Sequence, residues 1–562
     1  MRFSEMPYSR PDLDGFKSLC ERTAQVLRTS EDKDESVKAF LSCQDALVHI
    51  NTMFSLGECR HTLDTADAFY SAENDFIDEQ GPEVSGAFDD VRKALLASPV
   101  RKELSAFFGD LFFTNLEIED RSFKPELIPL MQEENKLMST YQELTSNAEV
   151  EWEGKMIPLT MLGKYKQNPD RAVRIKAFTL EGEYYDSHAA ELDEIYDKLV
   201  HIRDRQARML GHKNYLQLGY DRLGRNCYGP KEVAEFRKMI LEDVVPVVTG
   251  VKHAQRDRIG VDTLYLYDDP FWFPDGNADP QGSAEDILNA GRDLYHKMSP
   301  ETSEFIDFMY DNDLLDVLSR KGKAPGGYCT QFDEFSSPFI FANFNGTAAD
   351  VDVLTHEGGH AFAAYRAFKN GLPNYYMNPT IEACEVHSMS MEFLTAPGHG
   401  KFFGDKTKKY AYYHAADSLC FLPYGCLVDA FQHKVYENPD LTPAQRHELW
   451  DSLEKQFRPY LCRDGMPFYG RGAGWQRQLH IYLDPLYYID YCMAQTVAFD
   501  FFTASLEDYE DAWKRYLSFV DKGGTKTFAE LVRGAGFPCP YEKGAIRDVA
   551  LKIGKWLDEH AI

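Results

Sequence analysis

Long apolar runs are missing from this 562-residue chain. No stretch reaches the ~18 uninterrupted apolar residues that a membrane-spanning helix needs. The N-terminal MRFSEMPYSRPDLDGF carries no apolar core of a secretory leader. Cysteine is sparse and unpatterned: eleven residues, an odd number, with no CxxC pair. That excludes a disulfide framework and fits reduced thiols in a cytoplasmic protein. Positive charge is in short supply. The 61 Lys and Arg residues face 90 Asp and Glu, a formal net charge of -29, which repels nucleic acid and anionic membranes. Low-complexity tracts and solenoid-length repeats are absent as well. Hydrophobic content of 44% and charged content of 27% are those of a soluble globular protein. The length allows one large core or two lobes with a cleft between them.

The first half reads as helix after helix. Residues 14–27, 37–54, 65–76 and 88–95 repeat apolar side chains at helical period, and residues 170–209 resume it in a charge-rich form. Gly81-Pro82 and Asn168-Pro169-Asp170 are turn signals, and residues 265–282 form a break rich in Pro, Asp and Gly. Residues 150–161 alternate around Glu153-Gly154 as a hairpin would. The expectation is a mainly α protein with one small sheet near the site, and a division near residue 165 into regions 1–165 and 166–562.

Against that background stands His356-Glu357-Gly358-Gly359-His360, an HExxH motif. Side chains four apart share a helix face, so two imidazoles can hold one zinc ion while Glu357 reaches a water beside it. The helix ends are legible: Thr347 or Asp350 can cap its start after Asn345-Gly346, and Lys369, Asn370 and Gly371 stop it before Pro373. A catalytic zinc site needs a third ligand. Ala363 and Arg366 stand where a metzincin requires Gly and His, so that reading fails. The segment IEACEVHSMSMEFL, residues 381–394, is mostly apolar but carries Glu385, Ser388 and Glu392 as one polar stripe. Buried carboxylates need a cation or hydrogen bonds. Glu385 is the expected third ligand, with Glu382 as its rival. Glu392 is the candidate acceptor from a ligand imidazole, in competition with Asp352. His387 points off that face and reads as a satisfied core or surface histidine.

Residues 326–362, GGYCTQFDEFSSPFIFANFNGTAADVDVLTHEGGHAF, resemble the oligoendopeptidase F branch of the thimet oligopeptidase family. Glu385, Ser388 and Glu392 match its Glu-x-x-Ser pattern with a further Glu. The likeness runs from about residue 166 to near the C-terminus. It implies two helical lobes around a deep substrate channel, one zinc ion, and endopeptidase action on short unstructured peptides. It also implies oxyanion donors from HIYLDPLYYIDY: His480, Tyr487 and Tyr491, with Tyr482 and Tyr488 as substitutes because the spacing departs slightly from the family's. Two further segments bear on substrate. Residues 337–345 alternate like a strand that can pair with a peptide, lie inside a sheet, or both. The Gly-rich residues 464–474 form either a closing loop or a static connector; no Gly-Lys-Ser/Thr follows, so they are not a P-loop. A non-catalytic zinc scaffold is disfavoured by the intact Glu357. An exopeptidase would need a cation for the substrate carboxylate, for which Arg463, Arg471 and Arg477 are available.

Overall fold

The computed structural model describes every residue of the chain except 325 and 345. It is 72% helical. Five strands are present among the described residues: β1 (Glu149–Trp152), β2 (Lys155–Pro158), β3 (Leu315–Leu318), β4 (Tyr328–Phe332) and β5 (Ser337–Phe344). The chain divides into two compact units, each built from three separate stretches. One comprises residues 1–122, 279–404 and 504–537; the other comprises 123–278, 405–503 and 538–562. This partition differs from a division near residue 165, because long helices find partners far away in sequence.

The first unit opens with helices Leu13–Thr29, Lys33–Leu63 and Ala68–Leu96. Each follows an aspartate whose side chain accepts backbone N–H groups of the first turn: Asp12 from Gly15, Asp32 from Asp34 and Glu35, and Asp67 from Phe69 and Tyr70. Ile77, Val84 and Val91 recur at seven-residue spacing and bury into a core with Phe16, Leu27 and Phe40. That seam carries the third helix straight through Gly81-Pro82, which is a turn in sequence terms but lies inside a helix here. Tertiary burial outweighs the lost hydrogen bond of one proline.

The same unit contains a three-stranded sheet of order β3-β5-β4, with β3 parallel and β4 antiparallel to β5. β5 is the central strand. Both its edges are taken, so residues 337–344 are an internal strand, and the edge that a peptide would need is not on β5. β4 lies at an edge. β5 leads into helix Ala348–Lys369, which carries the HExxH motif (hereafter the motif helix). Thr347 precedes it without a side-chain cap, while Asp350 accepts from the Gly346 N–H at 2.6 Å. Asn345, expected at the turn before it, lies outside the described residues. Helix Ile381–Leu394 (the glutamate helix) follows.

The second unit holds the β1–β2 hairpin, whose two-residue turn places Glu153 at φ 53° and Gly154 at φ 80°. Both central residues at positive φ is the primed turn whose twist matches a hairpin. Helices Arg171–Ser187 and Ala189–Met209 pass over a break at His188. Buried arginine bonds tie the unit together: Arg203 donates to Glu134 at 2.6 Å and to the Tyr436 hydroxyl at 3.0 Å. Residues 464–474 are packed rather than loose. The Phe468 N–H donates to Asp186 at 2.8 Å, the Tyr469 hydroxyl donates to Glu181, and Phe468, Tyr469 and Ala473 are buried. The static connector is therefore the reading the packing supports. Among the described residues, no helix is long and apolar enough to cross a membrane.

Candidate active site

The two glycines between the motif histidines explain how the first unit assembles its His-His-Glu cluster. Glycine in a helix interior costs about 1 kcal/mol relative to alanine, so an adjacent pair calls for a packing reason. A Cβ on Gly359 would stand 2.6 Å from both the His387 carbonyl oxygen and the Ser388 Cα; one on Gly358 would stand 2.1 Å from the Tyr295 hydroxyl. The glutamate helix thus lies directly on the backbone of the motif helix. That approach brings Glu385 to the imidazoles.

The donor atoms of His356, His360 and Glu385 all lie within 4.8 Å of one another. Glu385 Oε2 is 3.4 Å from His356 Nε2 and 3.5 Å from His360 Nε2. A tetrahedral zinc with ligand distances of about 2.0–2.1 Å sets neighbouring donors about 3.3–3.4 Å apart. Two imidazoles and one carboxylate at this spacing therefore fit a catalytic zinc with one position open. Supporting bonds orient the set. Glu392 takes the His356 Nδ1 at 2.7 Å, leaving Nε2 toward the cluster. The Ser388 hydroxyl donates to Glu385 Oε2 at 3.1 Å. Glu382, the rival ligand, accepts instead from the Thr380 hydroxyl at 2.8 Å and is wholly buried. His387 is buried against the Phe519 ring, and its carbonyl accepts from Tyr516.

Electrostatics follow the geometry. Burial raises the Glu357 carboxyl above its ordinary range, only partly offset by the His356 and His360 charges. Glu385 loses solvation on burial, yet its bonds to His356 and His360 hold it well below the usual carboxylate range. Cys329 on β4 is pushed up by burial and then by the Glu357 charge, which places the edge strand beside the motif helix.

In the second unit, His480 and three tyrosines form one aromatic cluster. Ring centroids are 5.7 Å apart for His480–Tyr487, 5.9 Å for His480–Tyr491, 5.0 Å for His480–Tyr488 and 4.9 Å for Tyr487–Tyr491. Tyr482 does not join them. It is fully buried, stacked on Tyr141 at 3.9 Å, with its hydroxyl on the Leu192 carbonyl. Sequence reasoning missed two neighbours. The Tyr424 hydroxyl donates to Gln478 Oε1 at 2.7 Å, and Gln478 Nε2 meets His480 Nδ1 at 3.0 Å. With the amide in that sense, the His480 proton sits on Nε2. Of the candidate carboxylate-binding cations, Arg463 pairs with Asp451 at 3.2 Å and Arg471 with Asp186 at 2.7 Å; Arg477 is exposed.

Comparison with known proteins agrees with this architecture. The peptidase M3 N-terminal domain matches residues 3–123, and peptidase family M3 matches residues 293–551. A PZ peptidase A solved with an inhibitor is 42% identical, with 99% of each chain covered and a TM-score of 0.94. The chain belongs to peptidase family M3. It falls in the oligoendopeptidase F branch of these metallopeptidases, and the chemistry that goes with membership is metal-dependent hydrolysis of peptide bonds. A protein assigned as oligoendopeptidase F from Bacillus anthracis is 38% identical over 100% of this chain and 99% of that one, with a TM-score of 0.89. A curated oligoendopeptidase F homologue from Mycoplasma pneumoniae is 23% identical over 322 residues, 54% of this chain and only half of that protein's length.

Proposed function

We propose that this M3 peptidase hydrolyses internal bonds of short, unstructured oligopeptides, using one zinc ion held by His356, His360 and Glu385. The observation that carries the reading is the donor spacing of 3.4 and 3.5 Å around Glu385 Oε2, with the half-buried Glu357 next to His356 in the chain. Bound there, zinc would supply Lewis acidity toward the scissile carbonyl and lower the pKa of a water. Glu357, its affinity for protons raised by burial, takes the proton of the attacking water and returns it to the leaving amine. Glu392 and Ser388 hold the ligands in orientation. His480 Nε2–H and the Tyr487 and Tyr491 hydroxyls donate to the oxyanion of the tetrahedral intermediate. Gln478 keeps the His480 proton on the donating nitrogen. An extended peptide pairs along the edge of β4, since β5 has no edge to offer. None of the eleven cysteines acts as nucleophile; all are thiols, in keeping with a cytoplasmic setting. Nucleic acid and membrane are not partners in this reading.

The test is mass spectrometry of a short peptide blocked at both ends, incubated with zinc-loaded protein. Internal cleavage abolished by a chelator is the expected result. An intact blocked peptide, with cleavage only once a terminus is freed, would replace the proposal with an exopeptidase. Arg463 and Arg471 are committed to acidic partners, so Arg477 is the cation that alternative would have to use.

A further inference from the structure

Tyr487 and Tyr491 are each preceded by a residue under unusual constraint. Leu486 has φ +69°, in the left-handed region that branched side chains avoid. Its neighbours hold it there. Its N–H donates to Gln432 Oε1 at 3.2 Å, and its carbonyl accepts from Arg225 Nη2 at 2.6 Å. Its side chain is fully buried over Gly219, where an added Cβ would strike it at 2.7 Å. Asp490 is equally enclosed. Its Oδ1 accepts from the same Arg225 Nη2 at 2.7 Å and from the Tyr228 hydroxyl at 3.2 Å. The Arg225 side chain is itself wholly buried and lies 4.2 Å over the Tyr220 ring.

We propose that Arg225 is the positioning residue of the tyrosine pair: by gripping the Leu486 carbonyl and the Asp490 carboxylate together, it fixes where the Tyr487 and Tyr491 hydroxyls stand. This deepens the oxyanion role assigned above and rests on it. The bland alternative is a core ion pair that merely stabilises the unit. Buried ion pairs are poor stabilisers, because the desolvation cost rivals the attraction. What a guanidinium offers beyond charge is directional bonding to several acceptors at once. Here the two acceptors belong to the residues just before the two tyrosines. A strained φ held by surrounding bonds at such a point is the usual mark of a geometry that function requires. Arg225 touches no substrate atom in this scheme; it acts through the tyrosines.

The experiment is a mutant cycle on the full chain with a blocked peptide. Arg225→Lys keeps the charge but loses the planar guanidinium whose Nη2 meets both acceptors. A donor displaced by about 1 Å costs on the order of 100-fold in rate. The expected result is a fall in kcat of roughly 10- to 100-fold, with KM and zinc content nearly unchanged. In a Tyr487→Phe/Tyr491→Phe background the same change should cost less than about twofold more, because the groups it positions are gone. Equal losses in both backgrounds would overturn the proposal and leave Arg225 a structural residue. Wild-type kcat in the tyrosine double variant would instead sink the oxyanion reading, and the proposal with it. If Arg225→Lys does not fold, Gln432→Met releases the Leu486 N–H without stranding a buried charge. The same non-additive loss is expected there, and an additive loss or none would count against the clamp.

Discussion

Replacing Gly359 by alanine tests the claim that helix contact sets the ligand spacing. The new Cβ would stand 2.6 Å from backbone atoms of His387 and Ser388, whereas ordinary contact begins at 3.4 Å. Backbone cannot rotate away, so the two helices must part by about 0.8 Å, the difference between 3.4 and 2.6 Å. If that shift passes to Glu385, its 3.4 and 3.5 Å separations from the imidazoles open to about 4.2 Å, well beyond the ~3.4 Å edge of a zinc tetrahedron.

Stability should change less than metal binding. Overpacking costs about 1–3 kcal/mol, but alanine regains about 1 kcal/mol of helix propensity over glycine. The net destabilisation is therefore up to about 2 kcal/mol, while zinc affinity should drop on the order of 10- to 100-fold, as when ligand support is lost. The assay is zinc competition against a chromophoric chelator, with thermal unfolding of the metal-free protein alongside. Gly358→Ala is the contrast, since it meets the Tyr295 hydroxyl rather than backbone, and Tyr295→Phe should partly restore it. Wild-type zinc affinity in a folded Gly359→Ala protein would refute the argument, for the spacing would then owe nothing to that contact.

Three further outcomes can be checked together. Glu357→Gln should retain zinc and lose turnover by about 10²–10⁴-fold, whereas Glu385→Ala should lose both, read by metal analysis and peptide cleavage. Tyr487→Phe should lower kcat by about 10²-fold or more, while Tyr482→Phe, whose hydroxyl is spent on the Leu192 carbonyl, should alter stability and leave kcat in place. His433 supplies a pH dependence. Burial holds its pKa at about 4 against an ordinary 6.5, with Asp429 opposing and Arg237 reinforcing the shift. Between those values the unfolded chain binds a proton that the folded chain does not, so stability is full above pH 6.5 and is lost as pH falls. The loss from this group is up to about 3 kcal/mol. Urea midpoints at neutral and mildly acidic pH should converge in His433→Gln, and an unchanged slope would show that another group titrates.

Much of the fold was legible because its signals are local. Apolar side chains at helical period announce the first unit's opening helices, and Glu153-Gly154 sits at the second unit's hairpin turn, as its sequence suggests. The His-His-Glu cluster was legible for a related reason: two i, i+4 histidines and a Glu-Ser-Glu stripe are helical patterns, and helical geometry is set within a few residues. What escaped depends on partners far off in sequence. Pro82 reads as a stop until Ile77, Val84 and Val91 are seen buried on either side of it. Residues 337–344 read equally well as an edge or a centre until β3 and β4 take up both sides. Tyr482 cannot be told from Tyr487 by composition; only its stack on Tyr141 removes it from the aromatic cluster. The same limit hid Arg225, which lies 261 residues before the Leu486 carbonyl it binds. Ligands that share a helix can be read from spacing, whereas groups that orient side chains from another part of the chain emerge only once the backbone closes around them. Adjacent glycines in a helix are the exception. Gly358-Gly359 is poor helix sequence with no local benefit, and that local cost already points to a neighbour pressed against it.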